Sequence, residues 1–427
     1  MKKNRKMTPE IRFPGFTDDW EQRKFASVFE GLQNNTLSRA ELNYESGTVK
    51  NVHYGDVLIK FGDYIVAYET ELPYISDGAK VDKFKNSFLQ DGDIVIADTA
   101  EDDTVGKCTE IQGSEGLKLL SGLHTIACRP KEEYGPMFLG YYINSPAYHS
   151  QLKPLMQGIK VTSISKSALQ DTNMIMPKSI EEQTKIGEYF ANLDNLITLH
   201  QRKCDTIRKL KKSMLQKMFP KKGSTVPEIR FPGFTDAWEH RKLSDIYKDI
   251  GNAFVGTATP YYVEEGHFYL ESNNIKDGQI NHNTEVFIND EFYEKQKDKW
   301  LHTGDMVMVQ SGHVGHAAVI PEELDCSAAH ALIMFRKPKV EIEPYFLNYQ
   351  YQTIKSKKKI ENITTGNTIK HILASEMQEF VVDATSYGEQ EKIAGFFREL
   401  DNLITLHQRK LDMLKKMKMS MLQQMFV

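Results

Sequence analysis

The chain has 427 residues, of which 40% are hydrophobic and 26% charged, and its formal net charge is −4. This composition is typical of a globular protein of two or three domains, and the slightly acidic balance is unusual for a dedicated nucleic-acid-binding protein. Apolar runs are all far shorter than a membrane span, and no apolar segment follows the basic start, so we expect neither a transmembrane helix nor a signal peptide. The protein is therefore expected in the cytoplasm. Four cysteines without a C-x-x-C pair predict free, buried thiols.

The first distinctive feature is FPGFTDDWEQRK at residues 13–24, which returns as FPGFTDAWEHRK at residues 231–242. In each copy the Pro-Gly dipeptide predicts a sharp turn. Trp20 and Trp238 lie near the end of the two copies, and we expect them to anchor the following domain by packing against it. Stacking on a nucleic-acid base is the alternative role for these two side chains.

Two divergent segments, residues 25–175 and 243–382, follow the two copies of this motif. Short apolar runs between Gly-Asp and Gly-Ser turns predict strands in both. The predicted strands are FASVF, VLIKF, YIVAYE, DIVIAD and HTIACRP in the first segment, and LSDIY, FYLES, TEVFI, DMVMVQ and ALIMFR in the second. Residues 136–152 and 344–359 have helical patterns, so we expect two domains of α/β type.

A long helix is predicted after each of these segments. From Leu193, and again from Leu400, mostly apolar residues recur at alternating spacings of four and three over about four heptads, without Gly or Pro. The first helix is predicted to begin near Ser179, a helix-capping residue followed by acids, and to end before Pro220. A helix of about 36 residues is roughly 54 Å long, so it needs a packing partner, and the other copy is the obvious one.

Polar residues occupy matching positions in the two apolar seams. His200 corresponds to His407, and Lys211 corresponds to Lys418. Single polar residues in a coiled-coil seam fix its register and orientation. We favour this role over the alternative, in which the histidines are ligands or pH switches.

The two helical segments are nearly identical in sequence. LDNLITLHQRK occurs at residues 193–203 and again at residues 400–410, and SMLQKMF at 213–219 returns as SMLQQMF at 420–426. The chain therefore consists of two tandem units with similar starts, divergent middles and similar ends. Two copies of this size suggest a pseudo-dimer, in which one chain imitates a two-fold arrangement.

Catalytic and metal-binding motifs are missing from the sequence. Val105-Gly106-Lys107 lacks the leading glycine of a phosphate-binding loop, and no G-x-G-x-x-G follows a predicted strand. An Asn-Pro-Pro-aromatic tetrapeptide, which amino-methyltransferases use to hold a base, is also missing. His313 and His316 in SGHVGH have no third ligand nearby in sequence, so we predict no metal site. We expect a binding protein and not an enzyme.

The duplicated set of motifs resembles the specificity subunit of type I restriction–modification enzymes over essentially the whole chain. Each divergent segment is followed by EQxKI, a Leu-Asp-x-Leu-Ile helix and a Ser-Met-Leu-Gln-x-Met-Phe end, and is preceded by Phe-Pro-Gly-Phe. The residues that match the helix-start pattern of this family are Glu182, Gln183, Lys185, Ile186, Glu389, Gln390, Lys392 and Ile393.

This resemblance implies an α/β (α+β) fold with two globular target recognition domains, joined by two long antiparallel coiled-coil helices with pseudo-two-fold symmetry. The predicted division is a first target recognition domain at 1–175, a first spacer helix at 176–220, a linker and second target recognition domain at 221–382, and a second spacer helix at 383–427.

The resemblance also implies a function in DNA recognition. Each domain would read one half of a split, asymmetric duplex DNA site, and the helices would act as a spacer that docks two copies of a DNA adenine methyltransferase subunit. ATP-dependent restriction subunits could join the assembly. S-adenosylmethionine, ATP and magnesium would belong to those partners and not to this chain. The expected spacer and docking residues are Gln183, Ile186, Leu193, Ile197, His200, Gln390, Ile393, Leu400, Ile404 and His407.

Two polar loops in each domain are the candidates for DNA contact. They are Asp98–Lys107 and Gln157–Lys166 in the first domain, and Gln310–His316 and Thr364–His371 in the second. The candidate residues in these loops are Lys107, Lys160, Thr162, Ser163, Lys166, Gln310, Ser311, His313, Asn367, Lys370 and His371. Further candidates outside the loops are Asn273, Asn274 and Lys276. Glu101, Asp102 and Asp103 make the first loop acidic, so it either accepts hydrogen bonds from cytosine or faces away from DNA.

Two basic runs favour phosphate contact over a purely solvated helix surface. Residues 202–222 contain nine Lys or Arg and one acid, and KSKKK spans residues 355–359.

Three rival functions remain open. They are a protein scaffold built on the same coiled coil, a decoy subunit that docks the methyltransferase without productive recognition, and an independent nuclease or methyltransferase, against which the missing motifs argue.

Overall fold

The computed structural model describes residues 7–366 and 370–427. The chain divides into two compact units, Met1–Gln201 with Arg409–Val427, and Arg202–Gln408. Each unit contains one mixed α/β domain and a part of both long helices, Ile180–Lys217 and Tyr387–Gln424. This architecture confirms the predicted fold class, although the compact units divide both helices, which the sequence had assigned to segments of their own. Among the described residues, no helix has the length and apolarity needed to cross a membrane.

The first unit is built around two sheets. The larger has five strands in the order Phe29–Gly31, Thr125–Pro130, Ile94–Ala97, Cys108–Gln112 and Tyr64–Val66. Its neighbours are antiparallel except for the last pair, which is parallel. The smaller sheet has the order Leu119–Ser121, Lys50–Val52, Tyr74–Ile75 and Leu42–Asn43. All four residues of Ile94–Ala97 are buried, which explains why this strand has no polar alternation.

The second unit repeats this plan with a different sequence. Its main sheet has four antiparallel strands in the order Tyr247–Asn252, Leu332–Pro338, Met306–Val309 and Ala317–Val319. A second sheet has the order Tyr262–Val263, Phe287–Ile288, His267–Leu270 and Ala328–Ala329. A hairpin pairs Ile275–Lys276 with Gln279–Ile280. Met306–Val309 is fully buried and corresponds to Ile94–Ala97 of the first unit.

Each domain is closed by pairing of its first and last strands. Glu21–Lys24 pairs antiparallel with Asn173–Met176, and Glu239–Lys242 pairs antiparallel with Val381–Ala384. The chain therefore leaves each domain beside the point where it began, directly before a long helix.

Three local predictions are wrong. VLIKF was expected as a strand but forms the end of the helix Tyr54–Ile59 and the residues after it. FASVF and LSDIY begin with the short helices Phe25–Val28 and Leu243–Ile246 before a strand starts. In each short helix the first and last residues are buried, so packing of two side chains three positions apart outweighs the strand propensity of the run.

The predicted domain helices are each broken once. Residues 136–152 contain Phe138–Asn144 and Pro146–His149, separated by Ser145 in extended conformation, because the residue before a proline disfavours the helical region. The second predicted helix, residues 344–359, falls on Pro344–Tyr351 and Ile354–Ile363, so it ends four residues later than expected, and Thr353 caps the second of these helices. The remaining α-helices are Lys166–Gln170, Asp290–Glu294 and Ala374–Gln378. Short 3-10 helices are Arg39–Glu41, Gly78–Lys80, Asp82–Ser87, Lys153–Leu155, Thr259–Tyr261, Ser272–Asn274, Lys297–Lys299 and Glu322–Leu324.

The long helices pack antiparallel within each unit. In the first unit the Phe190 ring stacks on that of Phe426 at 5.7 Å, and Lys418 bonds to Asp194. In the second unit the seam of the first helix from Cys204 to Met218 runs against the start of the second, with Leu400 also buried. Most of the predicted seam positions are buried or partly buried, which confirms the coiled-coil prediction.

In each unit the arginine directly before the repeated FPGF motif forms an ion pair at the start of a long helix. Arg12, directly before the motif, donates from Nε to Glu182 at 2.7 Å, and Arg230 donates to Glu389 at 2.7 Å. Trp20 is 2% exposed and its indole also donates to Glu182. Both this residue and the equally buried Trp238 pack in the core, which confirms the anchoring role and leaves neither ring available for base stacking.

Candidate nucleic-acid interface

The two candidate loops of the first domain lie side by side. Thr99–Ala100 pairs antiparallel with Thr162–Ser163, and the amide of Ile164 donates to the carbonyl of Asp98 at 2.9 Å. The loop that follows the buried strand Ile94–Ala97 is thereby joined to the loop that follows the domain helices. One continuous surface results from two segments about 60 residues apart in the chain, as expected when non-local strand pairing closes a sheet.

The second domain joins its two loops in the same way. The amide of Ile372 donates to the carbonyl of Gln310 at 3.0 Å, which corresponds to the bond from Ile164 to Asp98. Ser311 and His371 form an isolated bridge, and the amide of Gly312 donates to Lys370. The backbone therefore places the two predicted loops together in both units, although their side chains differ.

A third segment completes the surface of the second domain. His313 bonds through Nε2 to the carbonyl of Ser272 at 2.9 Å, and the amide of Asp277 donates to Nδ1 of His316 at 3.3 Å. Burial lowers the pKa of His316, which keeps its imidazole neutral and able to accept this bond. These contacts hold the hairpin that carries Lys276 against the SGHVGH loop.

A cavity of about 340 Å³ opens where these three segments meet. Its lining includes His313, His316, Lys357 and Lys370. The ring of His316, whose Nδ1 accepts from Asp277, and the two ammonium groups offer hydrogen-bond donors suited to phosphate oxygens or to the acceptor edge of a guanine, whereas Nε2–H of His313 is used by the carbonyl of Ser272. Two of the predicted candidates of the second domain, His313 and Lys370, therefore line a polar recess.

Two of the candidate DNA-binding residues have structural roles instead. The ammonium group of Lys107 donates to the carbonyls of Leu58 and Phe61 at 2.9 and 3.0 Å, and burial lowers its pKa. Asn274 is 2% exposed, and its amide nitrogen donates to the carbonyls of Asn281 and Thr284. Both side chains satisfy backbone carbonyls in turns, which a polar residue in a loop does as often as it contacts a ligand. Asn367 lies outside the described residues.

Two of the three acids of the first loop, Asp102 and Asp103, are engaged within the chain. Asp102 accepts from the amide and the hydroxyl of Thr104, which lowers its pKa, and Asp103 pairs with Lys153 at 2.9 Å, which also lowers the pKa of Asp103. Local turn capping and an ion pair therefore account for these two carboxylates.

The other candidates lie at the surface of their loops. Exposed members of this set are Lys160, Ser163, Lys166, Asn273, Lys276, His313, Lys370 and His371, and partly buried members are Thr162, Gln310 and Ser311. In the KSKKK run, Lys355 bonds to Asp383 and Lys359 to the carbonyl of Val381, so only the exposed Lys357 and Lys358 of its lysines are directed to solvent.

An apolar loop tip was missed by the sequence reasoning. Ile159 is 103% exposed and Val161 is 54% exposed, in the turn between Gly158 and Thr162. Gly158 has φ +116°, and a Cβ there would lie 2.0 Å from the carbonyl oxygen of Val161, so the turn requires glycine. The signal was present in the sequence as two β-branched residues alternating with Lys160 in a loop that was otherwise judged by its polar residues.

The helix residues expected to dock a partner are mostly buried inside their own unit. Gln183 accepts from the amide of Gly135 and donates to the carbonyl of Pro177, and Gln390 makes the equivalent bonds to Glu343 and Thr385. Ile186, Leu193, His200, Ile393 and Leu400 are also buried, and Ile197, Ile404 and His407 are partly buried. Their burial suits the spacer role. Docking stays a prediction, for which only the partly buried Ile197, Ile404 and His407 of this set keep accessible surface.

Four exposed leucines on the same helices are better candidates for docking. Leu196 and Leu199 are 43% and 46% exposed, and their repeat equivalents Leu403 and Leu406 are 44% and 59% exposed. Both pairs belong to the identical repeat LDNLITLHQRK. An exposed apolar pair that recurs in two units is typical of an interaction surface.

Comparison with known proteins places this chain in a family. A sequence profile of the type I restriction modification DNA specificity domain matches residues 17–209 and 235–416, most of the chain. The putative type I restriction enzyme MjaX specificity subunit of Methanocaldococcus jannaschii is 23% identical over 419 residues, which cover 94% of this chain and 91% of the relative. The type I restriction enzyme MjaVIII specificity subunit of the same organism is 22% identical over 284 residues, which cover 63% of this chain and 64% of the relative.

Solved structures share the fold. The S subunit of a type I restriction-modification system from M. genitalium superposes with a TM-score of 0.58 at 13% identity, with 99% of each chain covered. A chain from a study of complex assembly and conformational transition of the type I R-M system gives a TM-score of 0.50 at 15% identity, with 97% of this chain and 98% of that chain covered. Because the profile matches most of the chain in two copies, this protein belongs to the type I restriction–modification specificity subunits.

Proposed function

We propose that this subunit reads a split, asymmetric site in duplex DNA, with one recognition domain for each half-site. The observation that carries the proposal is the shared bond between the two loops, from Ile164 to Asp98 and from Ile372 to Gln310, in domains whose loop side chains differ. The two domains join their loops by the same backbone hydrogen bond but carry different side chains on them. This suits two recognition domains that bind the DNA backbone in the same way and contact different bases. Unlike half-sites make the whole target non-palindromic.

The two domains offer different chemistry to DNA. In the first, Lys160 and Lys166 supply cations for phosphates, and the apolar tip formed by Ile159 and Val161 suits the methyl group of thymine. In the second, His313 and Lys370 line a polar recess that suits a guanine edge or a phosphate. We therefore expect the first half-site to depend on an A·T pair and the second on a G·C pair.

The docking part of the proposal concerns the exposed leucines. Leu196 with Leu199, and Leu403 with Leu406, form one apolar patch in each unit, and the two patches have the same sequence. Identical patches bind identical partners, so we propose one methyltransferase subunit for each patch, two in total, with restriction subunits able to join. Methyl transfer and DNA cleavage, with S-adenosylmethionine, ATP and magnesium, then belong to those partners, and this chain is non-catalytic.

The test is modified-base mapping of a genome. Cells that express this chain with its methyltransferase subunit should carry methyladenine in one split, asymmetric motif, and cells without this chain should lack it. Replacing residues 25–175 by the same region of another specificity subunit should change one half of the motif and leave the other half unchanged. Replacing residues 243–382 should do the reverse.

The outcome separates the proposal from its rivals. If the complex assembles on a sizing column but no chain-dependent methylation appears, the chain is a decoy or a scaffold. If purified chain alone methylates or cleaves DNA, it is an enzyme in its own right.

A further inference from the structure

Three metal-ligating side chains meet on the second domain, outside the surfaces discussed above. His302 precedes the strand Met306–Val309, and Asp325 and Cys326 follow the 3-10 helix Glu322–Leu324. Their ligand atoms all lie within 4.8 Å of one another. Individually, Sγ of Cys326 lies 3.7 Å from Nδ1 of His302 and 3.2 Å from Oδ2 of Asp325, and Nδ1 of His302 lies 3.4 Å from Oδ1 of Asp325.

These separations, two of which are measured to different oxygens of Asp325, are close to those between the ligands of one tetrahedral cation. Bonds of about 2.3 Å to sulfur and about 2.0–2.1 Å to nitrogen or oxygen at tetrahedral angles place the ligand atoms roughly 3.4–3.6 Å apart. The three side chains therefore need only small rotations to bind a single ion.

The backbone around the cluster is held in place. Leu301 and Ser327 form a bridge through two amide-to-carbonyl bonds, so the turns that carry His302 and Cys326 are fixed beside each other. The amide of Thr303 donates to Oδ1 of Asp325 at 2.8 Å and orients that carboxylate. Such outer contacts are what a metal site needs to keep its ligands in position.

Cys326 is unusual in conformation and in exposure. Its φ is +63°, a left-handed conformation that is uncommon outside glycine, and it directs the thiol to the other two ligands. Cys108, Cys128 and Cys204 are buried, whereas Cys326 is partly exposed. The prediction of buried thiols is therefore confirmed for three cysteines and wrong for the fourth.

We propose that His302, Asp325 and Cys326 bind one zinc-class divalent cation, with water in the remaining position on the solvent side. A thiolate and an imidazole in the ligand set favour Zn²⁺, Co²⁺ or Cd²⁺ over Mg²⁺ or Ca²⁺, which prefer oxygen ligands. On binding, the thiol proton of Cys326 passes to solvent and the sulfur coordinates the ion as thiolate. The ion ties the turn before one strand to the turn that follows a 3-10 helix, and so stabilises the second domain.

The first test is titration of the full-length chain with Co²⁺. We expect a thiolate-to-cobalt charge-transfer band and tetrahedral d–d bands that saturate near one equivalent and disappear on addition of Zn²⁺. C326S should abolish the charge-transfer band, and H302Q and D325N should each weaken binding at least about tenfold. H282Q is the matched control, because His282 also pairs with a carboxylate, Glu285, at 2.8 Å but has no thiol beside it.

A second variant and a second measurement distinguish loss of the metal site from misfolding of the variant. C326G removes the thiol and suits the positive φ, so it should fold and yet give no thiolate band. In the unaltered chain, Zn²⁺ should slow alkylation of Cys326 by iodoacetamide, and Mg²⁺ should not. Absence of the thiolate band in the unaltered chain, its persistence in C326G, or equal alkylation with and without Zn²⁺ would overturn the proposal.

Discussion

The ammonium group of Lys211 lies 2.6 Å from Oδ1 of Asp401, within the seam of the second unit. The hydroxyl of Tyr349, on the domain helix Pro344–Tyr351, donates to Oδ2 of the same carboxylate at 2.8 Å. In the first unit Lys418, Asp194 and Tyr141 repeat this arrangement, with distances of 2.6–2.8 Å. The seam lysines thus tie the helix pair to the recognition domain of each unit, in accord with the register role expected from the sequence.

Removing one member of this ion pair should be costly. The Lys211 and Asp401 side chains are 12% and 11% exposed, so Lys211→Met should leave a nearly buried carboxylate uncompensated and destabilise the second unit by about 3 kcal/mol. Urea unfolding of the full chain measures the loss. The neighbouring exposed Lys212→Met is the control and should change stability by less than about 0.5 kcal/mol. Equal effects of the two substitutions would show that the seam contact has no special weight.

The buried ion pair at the start of the second long helix predicts a difference in stability between two arginine substitutions. Glu389 is 0% exposed and Arg230 is 12% exposed, so Arg230→Ala should destabilise the second unit by about 3–5 kcal/mol. Arg241→Ala removes the solvent-exposed pair with Glu239, at 2.8 Å, and should cost about 0–1 kcal/mol. Thermal unfolding of both variants checks the contrast, which fails if Arg241→Ala is the more damaging change.

Buried Glu110 predicts a pH dependence of stability in the first unit. Burial raises its pKa from 4.5 to about 7 in the folded chain, against the amides of Met137 and Gly140 that donate to it. Between these two values the native state holds a proton that the unfolded chain has lost. The contribution of this proton to the free energy of unfolding is complete below the unfolded pKa of Glu110, and it is lost as pH rises through the folded pKa.

Glu110→Gln should remove that dependence. Relative to the variant, the original chain should lose up to about 1.4 kcal/mol of stability per pH unit across this window. Urea midpoints measured at several pH values between the two pKa values give the difference directly. Parallel curves for the two proteins would mean that Glu110 titrates normally.

Lys107 and Lys160 lie in the two joined loops of the first domain, but substituting them should affect the salt dependence of DNA binding differently. Lys160→Ala should weaken duplex binding by the assembled methyltransferase complex and reduce the slope of log K against log salt by about 1, because a phosphate contact is lost. Lys107→Met should leave the slope unchanged and destabilise the first unit by about 1–3 kcal/mol, because two carbonyls lose their donor. A salt slope altered by Lys107→Met and not by Lys160→Ala would reverse the structural assignment.

The exposed leucines predict the stoichiometry of docking. Leu199→Glu or Leu406→Glu should each remove one methyltransferase copy, and the two together should remove both, because a charge cannot be buried in an apolar contact. Native mass spectrometry of the complex counts the copies. Lys248→Glu, an exposed change on the second recognition domain, should keep two copies. Full docking by the double variant would place the partner elsewhere.

The sequence by itself determined the repeat, the long helices and the family. These features depend on local periodicity and on motifs that are contiguous in the chain. The spacing between seam residues can be read directly from the sequence. The EQxKI motif was readable for the same reason. The structural role of this motif could not be predicted from the sequence, because Gln183 binds a turn at Gly135 that lies 48 residues away.

Only the tertiary structure decided which polar side chains face outward. Lys107 and Lys160 are both lysines in polar loops, but the carbonyls that hold Lys107 inward belong to Leu58 and Phe61, more than 45 residues earlier. His302 and Cys326 come together only because Leu301 bridges Ser327. Exposure and ligand geometry are set by contacts between distant segments, and no local pattern in the chain encodes those contacts.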